Sequence, residues 1–347
     1  MPTIKTALLG YGLSGRYLQA PFYAAHPGFD LARVVTSRAD DLDSDFSGLY
    51  PTATSEEVFA DATIDLVSIA TPNATHYALA RAALEAGKHV LVDKPACATA
   101  AELRELRDLA TRKKLHLFVF QNRRWDSDFL TVKKVIASGK LGKLVGFEAR
   151  YDRWKPGPNA KAWKETPGPG AGMMYDLGAH LIDQAIACFG IPKHVSGRTW
   201  IQRPFSSIPD AFDLHFEYDG FGADLSCSLM VREPTPRYRL HGDKGAFVKF
   251  GIDVQEDQLK AGLRPGDSNF GWEPTDQEGI LHTDAGRSNY PTLSGRWMGV
   301  FENIHNVITG TVLPAIPLEE VIAQLEIIEG VVSQRIEKNL TPQKTER

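Results

Sequence analysis

Ile4-Lys5-Thr6-Ala7-Leu8-Leu9-Gly10-Tyr11-Gly12-Leu13-Ser14-Gly15 is the stretch that decides the fold. Ile4 to Leu9 reads as a buried strand, and the G-x-G-x-x-G turn follows it directly, opening a helix from about Ser14 to Gln19. Glycines allow a tight turn and a close approach of backbone to a pyrophosphate. The helix start behind them supplies free N–H groups and a favourable dipole. Pro21 is expected to break that helix and begin a second helical piece. Outward from here, strands are expected at 30–36, 64–70, 89–92 and 115–120. Helices are expected at 55–60, 74–86 (ending at Gly87) and 99–113. Strands alternating with helices at this spacing predict a doubly wound parallel sheet. Taken alone, the glycine run is weak evidence, since glycine-rich tight turns are common; its place between strand and helix selects the dinucleotide reading.

The pattern changes after Gln121. A helix at 127–137 leads to a strand at 144–154, and the Pro- and Gly-rich stretch 156–172 reads as a loop. A helix bearing Asp176 and His180 follows, ending near Gly190. Strands are expected at 195–203, 210–218, 222–231, 237–242 and 246–250, with a hairpin turn at Tyr218-Asp219-Gly220-Phe221. This predicts an α+β half with a mostly antiparallel sheet. Residues 252–296 show little periodicity and are expected to be long loops, and helices at 297–309 and 318–337 close the chain. The expected domains are 1–121 for a dinucleotide and 122–347 for substrate and oligomer contacts, with the last helix free to pack back on the first domain.

Composition narrows the function. In 347 residues the formal net charge is −4 and no basic stripe is present, which argues against nucleic acid as a partner. Apolar residues at 43% and charged residues at 24% fit a globular chain with an ample core. No apolar run approaches the roughly 20 residues that span a bilayer. Cys97, Cys188 and Cys227 form no metal or redox motif, so no bound metal is expected. Met1 to Lys5 lacks a signal-peptide layout, and the cytoplasm is the expected location.

Several residues at expected strand ends carry chemistry. After the second strand the chain offers Ser37 and Arg38, a hydroxyl and a guanidinium suited to a 2′-phosphate. That favours NADP over NAD. In the competing reading Asp40 or Asp41 takes the ribose, and Arg38 is solvated or stacks on adenine. Thr71-Pro72-Asn73 follows the third expected strand, where ligands of open sheets bind, though a polar helix-capping turn reads the same. Lys94 ends the next apolar run, held by Pro95, and a cis Lys94–Pro95 bond is one arrangement open to it. Asp176, His180 and Asp183 form a polar stripe at i, i+4, i+7 on an otherwise apolar helix. Such a stripe needs partners or a cavity; the plainer reading is a cap plus a core histidine.

The glycine turn, Asp93-Lys94-Pro95, Asn122-Arg123-Arg124-Trp125 and Asp176 through Asp183 together resemble the Gfo/Idh/MocA oxidoreductase family over almost the whole chain. Two further runs are similar to a narrower subgroup that includes NADP-dependent scyllo-inositol dehydrogenases: Gly12 to Gly15 with Ala20-Pro21-Phe22, and Lys249 to Asp253 running on through Gln255-Glu256-Asp257. The resemblance implies an N-terminal Rossmann domain, a C-terminal domain whose open sheet face mediates dimers or tetramers, and hydride transfer on a cyclic polyol or sugar. It implies that Lys94, Asp176 and His180 are catalytic. The implied cofactor-facing set is Gly10, Tyr11, Gly12, Leu13, Ser14, Gly15, Ser37, Arg38, Thr71, Pro72, Asn73, His76, Asp93, Lys94, Asn122 and Trp163. Asp93 stands where the family usually has glutamate, and Trp163-Lys164 where many members have tryptophan–arginine.

A histidine titrating near neutral pH is the first choice as base for a substrate hydroxyl, with Lys94 stabilising the developing alkoxide and Asp176 orienting a neighbouring hydroxyl. A lysine of lowered pKa is the alternative base. A reading of another class stays open: a dinucleotide-binding sensor without turnover.

Overall fold

The computed structural model describes residues 2–46, 49, 51–158 and 165–339. In chain order the first elements are β1 (Ile4–Leu9), α1 (Ala20–Ala25), β2 (Phe29–Val35), α2 (Ala39–Asp45), β3 (Pro51–Thr52), α3 (Ser55–Ala60), β4 (Leu66–Ile69), α4 (His76–Glu85), β5 (His89–Val92), α5 (Ala100–Lys113) and β6 (Leu117–Val119). The six strands pair in the order β3-β2-β1-β4-β5-β6, all parallel. The order reverses beside β1, so the carboxyl ends of β1 and β4 flank the crevice where open α/β sheets bind ligands. Two elements differ from expectation. Strand β3 spans two residues, too short to show a period, and α2 carries a run of aspartates that gives no apolar stripe.

Local chemistry explains the boundaries. Thr99 caps α5 in a reciprocal box with Glu102, which satisfies two orphan N–H groups. A π-type turn, Ser14–Gln19, runs into α1, with Pro21 in its first turn, so Pro21 marks a change of helix type rather than a break.

The chain continues with α6 (Ser127–Ala137), β7 (Leu144–Arg150), a second π-type turn at Met174–Gly178, α7 (Ala179–Phe189), β8 (His194–Trp200), β9 (Ala211–Tyr218), β10 (Phe221–Ser228), β11 (Tyr238–Gly242) and β12 (Gly245–Lys249). After these come α8 (Gln255–Lys260), β13 (Gly279–Thr283), β14 (Gly286–Tyr290), α9 (Met298–Ile308) and α10 (Leu318–Asn339). The second sheet has the order β14-β13-β12-β11-β7-β10-β9-β8; β7 and β10 run parallel and the other pairs antiparallel. Residues 252–296 are therefore not only loops: they hold α8 and the β13–β14 hairpin. Strand β14 lies at the sheet edge and is exposed along most of its length, so nothing imposes the alternation that would have revealed it.

Two compact units emerge. One comprises 1–127, 253–273 and 293–322; the other comprises 128–252, 274–292 and 323–347. In the first, Phe22 of α1 stacks on Phe301 of α9 at 5.1 Å, and Tyr23 meets the same ring edge-on at 4.9 Å. Trp297 joins this core fully buried, its indole N–H donating to Asp126 at 2.7 Å. In the second unit, Phe212, Leu214 and Phe216 of β9 are buried while His215 and Glu217 are exposed. The outer face carries cross-strand ion pairs, Arg198–Asp213 at 3.3 Å and Arg239–Glu148 at 3.1 Å. Among the described residues, no helix is long and apolar enough to cross a membrane.

Candidate active site

In the first unit, side-chain absence shapes the glycine turn. Gly10 has φ +94°, and a Cβ there would lie 2.7 Å from the Ala70 carbonyl oxygen. A Cβ on Gly15 would run into the Gly10 carbonyl. A Cβ on Gly12 would meet nothing within 4 Å. Gly10 and Gly15 are thus demanded by packing, while Gly12 faces open space that a pyrophosphate can enter. Tyr11 turns inward, 2% exposed, and its hydroxyl donates to Asp45 Oδ2 at 2.8 Å. Burial and Asp45 push the Tyr11 hydroxyl well above its ordinary pKa, so Tyr11 can serve a ligand only through its backbone. Leu13 is partly exposed, and Ser14 Oγ accepts from Gln19 Nε2 at 3.2 Å.

The other residues singled out in this unit follow the carboxyl ends of β2, β4, β5 and β6. Ser37 and Arg38 are exposed, and the Arg38 N–H donates to Thr36 Oγ1 at 2.9 Å. Thr71 Oγ1 and Thr75 Oγ1 are 2.7 Å apart, and the Thr75 hydroxyl donates to the Pro72 carbonyl at 2.7 Å. Thr71-Pro72-Asn73 thus leads through a short turn into α4 without capping it by a side chain. His76 is fully buried, with Nδ1 2.8 Å from the Pro95 carbonyl oxygen and Nε2 2.9 Å from that of Thr71. Its ring ties the loop after β4 to the loop after β5. Lys94 is joined to Pro95 by a cis peptide bond, and its backbone N–H donates to Asp93 Oδ1 at 2.7 Å. The shorter Asp93 side chain thus folds onto its own turn. Three residues on, Cys97 is buried, and burial together with Glu102 raises its thiol pKa, which makes it a poor nucleophile. Asn122 is buried at the start of the turn Asn122–Trp125.

In the second unit Asp176 lies in the π-type turn Met174–Gly178 and His180 lies one turn later, in the first turn of α7. π-type turns recur at functional sites. Asp176 is half-buried, whereas His180, Asp183 and Gln184 are buried. Asp176 stands close enough to Cys227 of β10 to help raise that thiol's pKa, behind burial and Asp152. The helix is held at its start and at its middle. Gln324 of α10 donates to the Ala179 carbonyl. Gln184 Oε1 accepts from Arg237 at 2.8 Å and from the Tyr238 hydroxyl at 2.7 Å. Arg237 is itself buried, 3.2 Å from Asp128, with Tyr151 and Tyr238 rings at 4.1 and 4.3 Å. Sequence reading passed over Gln184 and Arg237; the available signal was Gln184 extending the polar stripe by one position. Trp163 lies outside the described residues. Among the described residues, no group of His, Cys, Asp or Glu could hold a metal ion.

The cradle at Gly12 and the polar loops at the carboxyl ends of the first sheet's strands fit a nicotinamide dinucleotide. Comparison with known proteins agrees. Residues 4–121 match the oxidoreductase family with an NAD-binding Rossmann fold, and residues 129–248 match the GFO/IDH/MocA C-terminal domain. The chain is 36% identical over 341 residues to scyllo-inositol 2-dehydrogenase (NADP(+)) of Bacillus subtilis, covering 97% of this chain and 95% of that protein. It is 37% identical over 337 residues to an uncharacterized oxidoreductase of Escherichia coli, covering 96% of each. An oxidoreductase structure from Bacillus subtilis superposes with a TM-score of 0.92 at 35% identity, covering 97% of both chains. Sheet order, glycine turn and full-length similarity thus agree, and the chain belongs to the Gfo/Idh/MocA family of oxidoreductases, with a Rossmann domain for a nicotinamide dinucleotide.

Proposed function

We propose that this chain is an NADP-dependent dehydrogenase that oxidises a secondary alcohol of a cyclic polyol or sugar, with scyllo-inositol the first substrate to test. The observation that carries this reading is the joint presence of Lys94, Asp176 and His180 in a chain matching scyllo-inositol 2-dehydrogenase (NADP(+)) along 97% of its length. A sensor that binds dinucleotide without turnover has no need of that set.

The bound nicotinamide would supply hydride acceptance. In the oxidative direction His180 would take the substrate hydroxyl proton, since a histidine's ordinary pKa already lies near neutral pH. Lys94 Nζ would hydrogen-bond the same oxygen and stabilise the charge that develops on it. Asp176 would accept from a neighbouring hydroxyl and so choose which carbon reacts. The dinucleotide would rest on Gly10 to Gly15, with Ser37 and Arg38 at the 2′-phosphate and the loops of Thr71 to Asn73, Asp93-Lys94 and Asn122 along its length. His76 would act through the two loops it joins. The free thiols Cys97, Cys188 and Cys227 suit a cytoplasmic location, and the outer face of the second sheet is the surface on which a homodimer or homotetramer would form.

The test is a panel of inositols, aldoses and their keto forms, assayed with NADP⁺ and NAD⁺. NADPH formation with scyllo-inositol or a related polyol supports the reading. Tight NADPH binding with no turnover across the panel would place the chain among sensors.

A further inference from the structure

Arg16, just beyond the glycine turn, makes more charged contacts than any feature of the sequence suggested. Its Nε donates to Asp45 Oδ2 at 2.7 Å and its Nη2 to Asp45 Oδ1 at 3.2 Å, a two-point grip. Its Nη1 lies 2.9 Å from Asp41 Oδ1. The other oxygen of Asp41, Oδ2, faces Arg38 Nη1 at 3.8 Å. Asp41 and Asp45 are four apart on α2 and so share a face, and Arg16 reaches both. Tyr11 of the glycine turn adds a third donor to Asp45. The Arg16 and Asp45 side chains are 22% and 16% exposed, whereas Arg38 is 58% exposed.

This bears on cofactor choice. A free carboxylate beside the end of β2 would accept the adenosine ribose hydroxyls and repel a 2′-phosphate. Asp41 is the aspartate that meets Arg38, at 3.8 Å, and Arg16 already neutralises it on its better-formed 2.9 Å contact. We infer that Arg16 is a positioning residue for cofactor selectivity: by holding Asp41, it leaves Arg38 available to a 2′-phosphate and withdraws the carboxylate that would serve NAD. A phosphate arriving at Arg38 competes with a loose 3.8 Å contact, while the 2.9 Å contact to Arg16 keeps Asp41 from following.

The inference rests on the NADP reading above, and the experiment separates the two. NADPH and NADH dissociation constants, from nicotinamide fluorescence, are compared in wild type, Arg16→Gln, Asp41→Asn and the double variant, with melting temperatures as a fold control. Arg16→Gln is expected to weaken NADPH by about two- to fivefold, the scale of a partly exposed ion pair, and to leave NADH unchanged or tighter. Asp41→Asn keeps the Arg16–Asp45 grip, so it should fold even if Arg16→Gln does not, and it is expected to bind NADPH at least as tightly as wild type. Adding Asp41→Asn to Arg16→Gln should restore NADPH affinity, because the cost of losing Arg16 then has no carboxylate to act through. A double variant no better than Arg16→Gln, equal losses for both dinucleotides, or weakened NADPH in Asp41→Asn would each overturn the inference. A wild type that prefers NADH would remove the NADP reading and the inference with it.

Discussion

The two helices that carry the site motifs both begin with a π-type turn, Ser14–Gln19 and Met174–Gly178, yet they are fastened in opposite ways. The first is seated by missing side chains: Gly15 lets the turn pass against the Gly10 carbonyl, and Gly10 lets β1 close on Ala70. A buried chain from Tyr23 through Ser68 to Gln19 adds to that seat. The second is seated by polar side chains from distant strands and helices, Arg237 and Tyr238 on Gln184 and Gln324 on the Ala179 carbonyl. The first arrangement leaves a ledge that a ligand's phosphates can approach. The second holds the imidazole of His180 inside protein, away from solvent.

The largest expected effect tests the polar seat. Arg237 and Asp128 have side chains 2% and 0% exposed. Arg237→Met fills similar space but leaves Asp128 buried without its cation, which should cost about 3–5 kcal/mol. Urea unfolding of wild type and variant measures this. A loss below about 1 kcal/mol would mean that α7 is held mainly by apolar packing, and the contrast between the helices would fail.

Next in size is the chemistry. His180→Ala and Lys94→Ala should each lower turnover by at least ~10²-fold with folding intact, and Asp176→Asn should weaken substrate use while leaving NADPH affinity alone. Near-normal turnover in His180→Ala would make the buried imidazole structural. In that event Lys94 would remain as the base.

This contrast also explains what could be read in advance. Glycines at fixed spacing after a strand are a local signal, and so is Lys94-Pro95 at the end of a short apolar run. The parallel sheet was legible because buried strands such as Val67 to Ile69 are continuous apolar or nearly so. The partners of α7 lie 53 and 54 residues beyond Gln184 and 145 beyond Ala179, and no local pattern links them. The hairpin β13–β14 escaped for a related reason, since an exposed edge strand needs no alternation. Arg16 also looked like any charged residue near a helix start; only the folded α2 brings Asp41 and Asp45 to it.

A smaller effect probes the open ledge. Arg38→Ala removes one charge-assisted contact to a 2′-phosphate, worth roughly 1.5–3 kcal/mol, or about 10- to 150-fold in NADPH affinity, with NADH nearly unchanged. Equal losses for the two dinucleotides would mean that Arg38 stacks on adenine instead.

The smallest effect concerns the opposite, amino-terminal end of the same sheet. His89 opens β5, and its ring stacks on His116 with centroids 5.2 Å apart. The His116 backbone N–H donates to His89 Nδ1 at 2.9 Å, so that nitrogen is an acceptor and a neutral ring carries its proton on Nε2. Protonating Nδ1 would break this bond and set a cation against the neighbouring imidazole. Burial, and then His116, lower the His89 pKa from 6.5 to about 4, while Asp65 pulls the other way. The unfolded chain therefore binds a proton here that the folded chain refuses, so stability should decline as pH falls from about 6.5 towards 4 and level off below. His116, lowered by its own burial, adds to the same slope. His89→Asn keeps an acceptor oxygen for the His116 N–H and removes the titration, so its melting temperature should fall less between pH 7 and pH 5 than that of wild type. Parallel declines in the two proteins would assign the acid sensitivity to other groups.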